Sequence, residues 1–219
     1  MAEQENSKDL ISVLWSGADI LRSKMDANEY KNYLLGIVFY KYLSDSFLIK
    51  VYDMICDDKP ESLKEALDTY IQELQGEDAD ELIKEMKDEC HYIIEPELTY
   101  TCFADAARNN VFNREQLQKA FNNIEQSDPI FADLFADIDL YSNRLGAGDQ
   151  KQSDTIASLI REIDKADLLN TDAEILGNAY EYLIGQFASE TGKKAGEFYT
   201  PQAVSKILTQ IAIAGQEDK

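Results

Sequence analysis

Basic residues are few in this sequence of 219 residues. Its 21 lysines and arginines stand against 42 aspartates and glutamates, which gives a formal net charge of −21. Such a surplus of negative charge disfavours nonspecific adhesion to nucleic acid or to anionic membranes. Any contact with DNA must therefore be local and involve a small group of side chains.

Cysteine and histidine are scarce as well. Cys56, Cys90 and Cys102 have no paired spacing, and His91 is the only histidine in the sequence. This pattern fits a reducing compartment and leaves no set of zinc ligands, so we expect no metal site. Adjacent helical residues point about 100° apart, which argues against a catalytic pair of Cys90 and His91.

Targeting segments and long apolar runs are also missing. The first ten residues, MAEQENSKDL, have neither a basic region nor an apolar core typical of a signal peptide. No later window approaches the run of about 18 apolar residues that a membrane span requires. We therefore expect a cytoplasmic protein without a membrane partner. Four prolines and ten glycines, with no repeat, argue against a long disordered linker.

Apolar residues recur at helical spacing in the first quarter of the chain. The pattern predicts a helix over residues 7–25 and a second helix from Asn28, as its N-cap, to about Cys56. The second helix contains YLLGIVFY, which is apolar nearly all round and therefore predicts a central, buried helix. The apolar stripe of the first helix consists of Leu10, Leu14, Ala18, Leu21 and Met25.

Acidic residues are concentrated between Asp53 and Glu97, where 16 of them face four lysines. Two helices are expected in this segment, over residues 63–74 and 79–92. One interpretation is the solvated outer face of a helical hairpin; the other is an acidic surface that docks a basic partner.

The middle of the chain alternates helices with short apolar stretches. Residues 92–98 and 135–146 are the two strand candidates, which allows one small β ribbon. Further helices are predicted over residues 113–126, with Val111, Leu117, Phe121 and Ile124 facing inward, and after Ser153 as N-cap. A capping box at Thr171–Glu174 begins another helix that ends near Ser189. The fold class is mainly all-α: a bundle of about eight helices around one long central helix.

The stretch GEFYTPQAV, residues 196–204, predicts the start of a last helix. Thr200 is a good N-cap, and Pro201 suits the first helical position because no amide hydrogen is needed there. The preceding ETGKKAG predicts a mobile loop, since glycines free the backbone and lysines keep it solvated.

Three segments together resemble the methyltransferase (modification) subunit of type I restriction-modification systems, an adenine-N6 DNA methyltransferase. These segments are LWSGADILRSKMDANEYKNYLLGIVFYKYLSD at residues 14–45, LGNAYEYLIGQFA at 176–188 and GKKAGEFYTP at 192–201. The resemblance implies an N-terminal helical domain over residues 1–190. Residues 191–219 are then the junction and first helix of a truncated α/β methyltransferase domain.

The resemblance also implies a cofactor site at that junction, for S-adenosylmethionine in the full-length protein. A helix N-terminus offers free amides and partial positive charge to the methionine carboxylate, and aromatic rings add apolar walls. The residues that match the family's cofactor-binding segment are Glu197, Phe198, Tyr199, Thr200, Pro201 and Gln202. The glycine-rich turn and the Asn-Pro-Pro-aromatic motif of such enzymes do not occur, so we expect no catalytic residue here and no activity of this chain alone.

The partners that the resemblance implies are DNA, a specificity subunit and a restriction subunit, with self-association as a further expectation. Candidate contacts to DNA or to a subunit are Arg22, Lys24, Lys31, Lys41 and Tyr42. The alternative is that these lysines solvate helix faces and the tyrosine is core. Two other functions stay open: a non-catalytic interaction module, and an acidic DNA mimic suggested by the net charge alone.

Overall fold

The computed structural model describes residues 2–168, 177, 185, 200 and 202–214. Among these residues it contains helices and turns, which confirms the all-α prediction. The eight α-helices of the described residues are α1 (Ala2–Arg22), α2 (Ala27–Ile55), α3 (Leu63–Glu73), α4 (Ala79–Cys90), α5 (Tyr100–Arg108), α6 (Arg114–Ser127), α7 (Asp149–Ile163) and α8 (Gln202–Ile213). Short 3-10 turns lie at Pro96–Leu98 and Pro129–Phe131.

The predicted apolar stripe of α1 is buried along its whole length, from Leu10 to Met25. The start of α2 differs from the prediction by two residues, because α2 begins at Ala27 and Asn28 lies inside it. Asp26 takes the place of the predicted cap: its carboxylate accepts the backbone N–H of Glu29 at 3.3 Å. A carboxylate there also complements the positive end of the helix dipole.

Helix α2 is the centre of the bundle, as its all-round apolar sequence predicted. It packs against α1, α3, α4, α5 and α7. Buried tyrosines of this core find backbone partners: the Tyr40 hydroxyl donates to the Leu98 carbonyl at 2.6 Å, and the Tyr92 hydroxyl donates to the Leu43 carbonyl at 3.0 Å. These bonds remove the cost of burying a phenol without a partner.

Gly36 lets the 135–146 segment approach α2 closely. A Cβ atom at this position would lie 2.0 Å from Cδ1 of Ile138. Next to this contact, the rings of Phe121 and Phe135 stack with centroids 4.1 Å apart. A glycine in the middle of the central helix therefore has a packing reason that outweighs its low helix propensity.

The two strand predictions are wrong. No β-strand occurs in the described part of the chain: residues 92–95 lead into the Pro96–Leu98 turn, and residues 135–146 form successive turns. The backbone carbonyls that would pair in a β ribbon instead accept hydrogen bonds from side chains of the helices. Tyr33 donates to the Asp139 carbonyl at 2.7 Å, and Thr155 donates to the Leu145 carbonyl at 2.8 Å.

Helices α6 and α7 match their predicted positions with two corrections. Asn113 caps α6 by accepting the Glu115 amide at 2.8 Å, and Leu117, Phe121 and Ile124 are buried, but Val111 is 72% exposed. Helix α7 begins at Asp149, so Ser153 lies within it and is not its cap. Gly148, at φ 84°, makes the turn into α7 that a residue with a side chain rarely adopts.

The acidic segment forms the two predicted helices, α3 and α4, and each packs against α2. Ser62 caps α3 by accepting the Glu65 amide at 3.2 Å. The apolar residues Ala66, Leu67, Tyr70, Leu82 and Met86 face the core, while most carboxylates of these two helices are exposed. In the described residues no helix has the length and apolarity that crossing a membrane demands.

Several predictions lie outside the described residues. These are the capping box at Thr171–Glu174, the loop over residues 190–196 and all but two residues of the helix between them. Gly177 and Gly185 of that helix are described, and both are helical.

Candidate functional site

The predicted cofactor-binding strip is described at two of its six positions. Thr200 is exposed and lies outside any helix, and α8 begins at Gln202. The helix thus starts within one residue of its predicted position. Glu197, Phe198, Tyr199 and Pro201 lie outside the described residues, so the geometry of the strip as a whole stays a prediction.

Helix α8 exposes an apolar stripe. Val204, Ile207, Leu208 and Ile211 follow each other at spacings of three, one and three residues, which places them on one face of the helix. All four side chains are exposed. An exposed apolar face of this kind is typical of a surface that another part of the protein or a partner covers.

One of the five candidate contact residues is buried and cannot reach DNA or a subunit. Lys41 is 3% exposed, and its ammonium Nζ lies 2.5 Å from Oδ2 of Asp45, one helical turn further along α2. The same ammonium lies 5.0 Å from the ring centroid of Tyr100 on α5. The prediction that Lys41 is a surface contact is therefore wrong, because a buried carboxylate and an aromatic ring hold its charge inside the bundle.

The Lys41–Asp45 pair has an unusual electrostatic setting for a protein core. Burial raises the pKa of Asp45 to about 6 although the Lys41 ammonium opposes the shift, and the carboxylates of Asp164 and Asp167 add to the increase. The second oxygen of Asp45, Oδ1, has no hydrogen-bond partner among the described residues. The sequence signal that could have found this pair is a lysine and an aspartate four residues apart within an apolar run.

The neighbour of this pair, Ser44, links α2 to the start of α5. Its hydroxyl accepts the backbone N–H of Tyr100 at 2.7 Å, and the Tyr100 hydroxyl donates to the Ile160 carbonyl of α7 at 2.9 Å. Three helices are thereby joined through one polar cluster. These hydrogen bonds fix the position of α5 relative to α2 and α7.

The other candidate contacts lie nearer the surface. Arg22 pairs with Asp19 at 2.5 Å and lies 5.1 Å from the ring centroid of Trp15. Lys24 donates to the Leu145 carbonyl at 3.0 Å, which ties the α1–α2 turn to the 135–146 segment. Lys31 and Tyr42 are half-buried. Tyr42 packs against the core, as the alternative interpretation predicted.

A small polar cleft of about 190 Å³ lies beside that turn. Arg144 and Glu29 form an ion pair across it. Burial raises the pKa of the Tyr33 hydroxyl, and the nearby Asp139 carboxylate raises it further. The carboxylates of Asp137 and Asp139 also line the cleft, which connects the start of α2 with the 135–146 segment.

Metal and thiol chemistry find no support in the described residues. No group of three or more His, Cys, Asp or Glu side chains there could hold a metal ion. Cys90 is a buried free thiol whose pKa is raised by burial, and His91 ends α4 at φ 66° with its Nδ1 3.6 Å from Asp128.

Two family descriptions match the chain in succession. Residues 10–163 match the family described as "HsdM N-terminal domain", and residues 171–219 match the family described as "N-6 DNA Methylase". The two matched ranges are separated by residues 164–170, and the domain boundary at residue 190 stays a prediction.

Curated relatives with similar sequences are methylase subunits of type I restriction enzymes. The MpnII methylase subunit of Mycoplasma pneumoniae is 28% identical, and the alignment covers 99% of this chain and 41% of that protein. The MjaVIII methylase subunit of Methanocaldococcus jannaschii is 30% identical, with 94% and 32% covered. The chain thus spans less than half the length of these relatives.

A solved structure has the same fold. The crystal structure of the type I restriction-modification methyltransferase subunit from Streptococcus thermophilus superposes with a TM-score of 0.88 at 50% sequence identity. The superposition covers 97% of this chain and 45% of that one. The similarity therefore covers the helical bundle and also most of the residues that follow it.

Proposed function

The chain belongs to the HsdM N-terminal domain family, and from that premise we propose that it serves as the N-terminal region of an adenine-N6 DNA methyltransferase subunit in a type I restriction-modification system. The observation that carries this proposal is the succession of two matches, a helical domain followed by the beginning of an N-6 DNA methylase domain. An interaction module alone would have no need for the second match.

In this proposal the junction before α8 forms the edge of the site for S-adenosylmethionine, which supplies the methyl group in the complete protein. The first amides of α8 and the hydroxyl of Thr200 would bind the methionine carboxylate, because helix N-termini favour negative charge. Phe198 and Tyr199 would line the apolar side. The accessible position of Thr200 is compatible with this role.

The apolar stripe of α8 fits the same proposal. Val204, Ile207, Leu208 and Ile211 are exposed here. In the longer relatives we propose that the remainder of the catalytic domain covers them, since a methyltransferase domain buries helices against its sheet.

Proposed partners are DNA, a specificity subunit, a restriction subunit and, within an assembly, a second copy of the methyltransferase subunit. Arg22 on α1, Lys24 in the α1–α2 turn and Lys31 on α2 are the proposed contacts. The net charge of −21 favours a local and specific contact with DNA rather than binding through a broad basic surface.

A methyl-transfer assay tests the proposal. Transfer of a labelled methyl group from S-adenosylmethionine to adenine in DNA is measured for this chain alone and for a complete subunit that contains it, each with the specificity subunit. We expect turnover only for the complete subunit. Turnover by this chain alone, or a complete subunit without any adenine methylation, would contradict the proposal.

A second candidate is a non-catalytic interaction module, which the exposed apolar stripe of α8 also favours. This function predicts binding of the specificity subunit with no measurable affinity of the complete protein for S-adenosylmethionine. Cofactor affinity measured by calorimetry therefore separates the two functions.

A further inference from the structure

A shallow apolar groove lies on the acidic side of the bundle, at the end of α3. It has a volume of about 400 Å³, and it is lined by Ile71, Leu74, Gln75, Pro96, Glu97 and Cys102. These residues come from the last turn of α3 and the residues just after it, from the Pro96–Leu98 turn and from the first turn of α5. Ile71 is 36% exposed, and Leu74, Pro96 and Cys102 are half-buried, so the floor of the groove is accessible from outside.

Carboxylates surround the apolar floor. Burial raises the pKa of the Cys102 thiol, and the carboxylates of Asp105, Glu97 and Asp68 raise it further. Burial also raises the pKa of the adjacent Tyr70 to about 12, with contributions from Glu95 and Glu97. Two groups on different elements therefore experience the same negative field around the groove.

Two of these carboxylates form close ion pairs with cations of the chain, and two do not. Arg108 lies 2.5 Å from Asp105, and Lys119 lies 2.5 Å from Glu95. Asp68 and Glu97 take part in no ion pair within the described ranges. Asp68 precedes Ile71 by three residues, so both lie on the same face of α3. The Asp68 carboxylate on α3 and the Glu97 carboxylate on the Pro96–Leu98 turn thus border the apolar floor on its two sides, and Glu97 also interacts with the ammonium of Lys119.

We propose that this groove docks a basic amphipathic helix of a partner protein. Aliphatic side chains of that helix would pack against Ile71, Leu74 and Pro96. Lysines or arginines one turn away would face Asp68 and Glu97. A helix carries apolar anchors and flanking cations at the spacing of three or four residues that this arrangement requires.

The charge of the groove excludes other occupants. Nucleic acid and anionic lipid surfaces are repelled by the carboxylates at its rim. A second copy of this chain, with a net charge of −21, has the same sign. A basic helix gains both apolar burial and charge complementarity at the same place. This inference does not depend on a catalytic role of the chain.

Two synthetic helical peptides of about 20 residues test the proposal, since shorter isolated helices are poorly formed in water. Both carry leucines at alternating spacings of three and four residues, with lysines beside them in one peptide and glutamates in the other. Affinity is measured by fluorescence anisotropy with the complete chain. We expect the lysine peptide to bind with an affinity that falls as salt is added, and the glutamate peptide not to bind.

Alkylation of the protein's cysteines shows where the lysine peptide binds. Cys102 lies in the groove, whereas Cys56 lies outside it, at the end of α2. Mass spectrometry of the maleimide-treated protein should show that the lysine peptide slows modification of Cys102 several-fold and leaves Cys56 unchanged. Equal protection of both thiols, or none of Cys102, would overturn the proposed location.

Two variants and a matched control test the residues themselves. Ile71→Gln and the double variant Asp68→Asn/Glu97→Gln should each weaken binding of the lysine peptide by about tenfold, as expected for the loss of one apolar contact or of the charge pairs. Ile83→Gln on α4 replaces an isoleucine of nearly equal exposure, 37% against 36%, and should leave binding unchanged. Circular dichroism verifies that each variant is folded.

Three results would overturn the proposal. They are the absence of binding by the lysine peptide, equal loss of affinity in Ile71→Gln and Ile83→Gln, and self-association of the chain in sedimentation that Ile71→Gln abolishes. The last result would identify a second copy of this chain as the occupant.

Discussion

The ammonium Nζ of Lys41 lies 2.5 Å from Oδ2 of Asp45 in the interior of the helical bundle, and both side chains are almost completely excluded from solvent. A buried pair of this kind stabilises little in net terms, because desolvation of two charges offsets their attraction. Its effect on the protein is therefore best seen in how stability depends on pH and on the loss of either partner.

Asp45→Asn should change the pH dependence of stability. The pKa of Asp45 is raised to about 6 in the folded protein, so the folded state keeps a proton that the unfolded state has released. The free energy of unfolding of the wild type therefore falls as pH rises through the window from about 4 to 6, by up to about 3 kcal/mol from this group.

The Asp45→Asn variant has no carboxyl group at this position, so its free energy of unfolding does not fall for this reason as the pH rises. Urea unfolding of both proteins at pH 4 and pH 7 should show that the stability of Asp45→Asn relative to the wild type increases with pH. A difference that is the same at both pH values would mean that the Asp45 pKa is not raised.

Lys41→Met should destabilise the protein by about 3 kcal/mol at pH 8, because it leaves a buried carboxylate without its cation. The loss should be smaller at pH 5, where Asp45 is largely protonated in the folded state. Chemical denaturation monitored by far-ultraviolet circular dichroism measures both values. The double variant Lys41→Met/Asp45→Leu should regain most of the loss, and a double variant as unstable as the single one would contradict this account.

Gly36→Ala should destabilise the bundle by about 1–3 kcal/mol through overpacking. The added methyl group would meet Cδ1 of Ile138 at 2.0 Å, so Ile138 must move. Gly177→Ala is the matched control, because in the described part of the chain no atom lies within 4 Å of a Cβ added at that helical glycine. Its alanine variant should be more stable than the wild type by up to about 1 kcal/mol. Thermal unfolding compares the two, and a stabilising Gly36→Ala would refute the close contact.

The helices with a one-sided apolar pattern could be predicted from sequence because their periodicity directly reflects burial. The stripe from Leu10 to Met25 is an example, and the all-round apolar sequence of α2 correctly indicated its central position. The caps Ser62 and Asp26 show the limit of local chemistry: several polar residues near a helix start can cap it, and the surrounding turn decides which one does.

The 135–146 segment could not be predicted, because its conformation depends on distant residues. Its apolar side chains suggested a strand, yet its carbonyls accept hydrogen bonds from Tyr33 on α2, Lys24 in the α1–α2 turn and Thr155 on α7. Gly36 opens the space for Ile138, more than 100 residues away in sequence. Local patterns carry no information about such partners.

In the candidate site, too, the features set by local sequence were predictable and those set by distant residues were not. The start of α8 at Gln202 was predictable from Thr200 and Pro201, which are local signals. The burial of Lys41 was not, since a lysine on a helix is ordinarily solvated and only the packing of α5 against α2 places Tyr100 beside it.

The central claim is that the residues before α8 bind S-adenosylmethionine in the complete subunit, and calorimetric measurement of cofactor affinity tests it most directly. Tyr199→Ala and Thr200→Val should each raise the dissociation constant for the cofactor about tenfold or more. The control is Lys206→Ala, which changes an exposed residue of α8 and should alter the dissociation constant less than about twofold. Equal affinities of the complete subunit and of all three variants would contradict the claim.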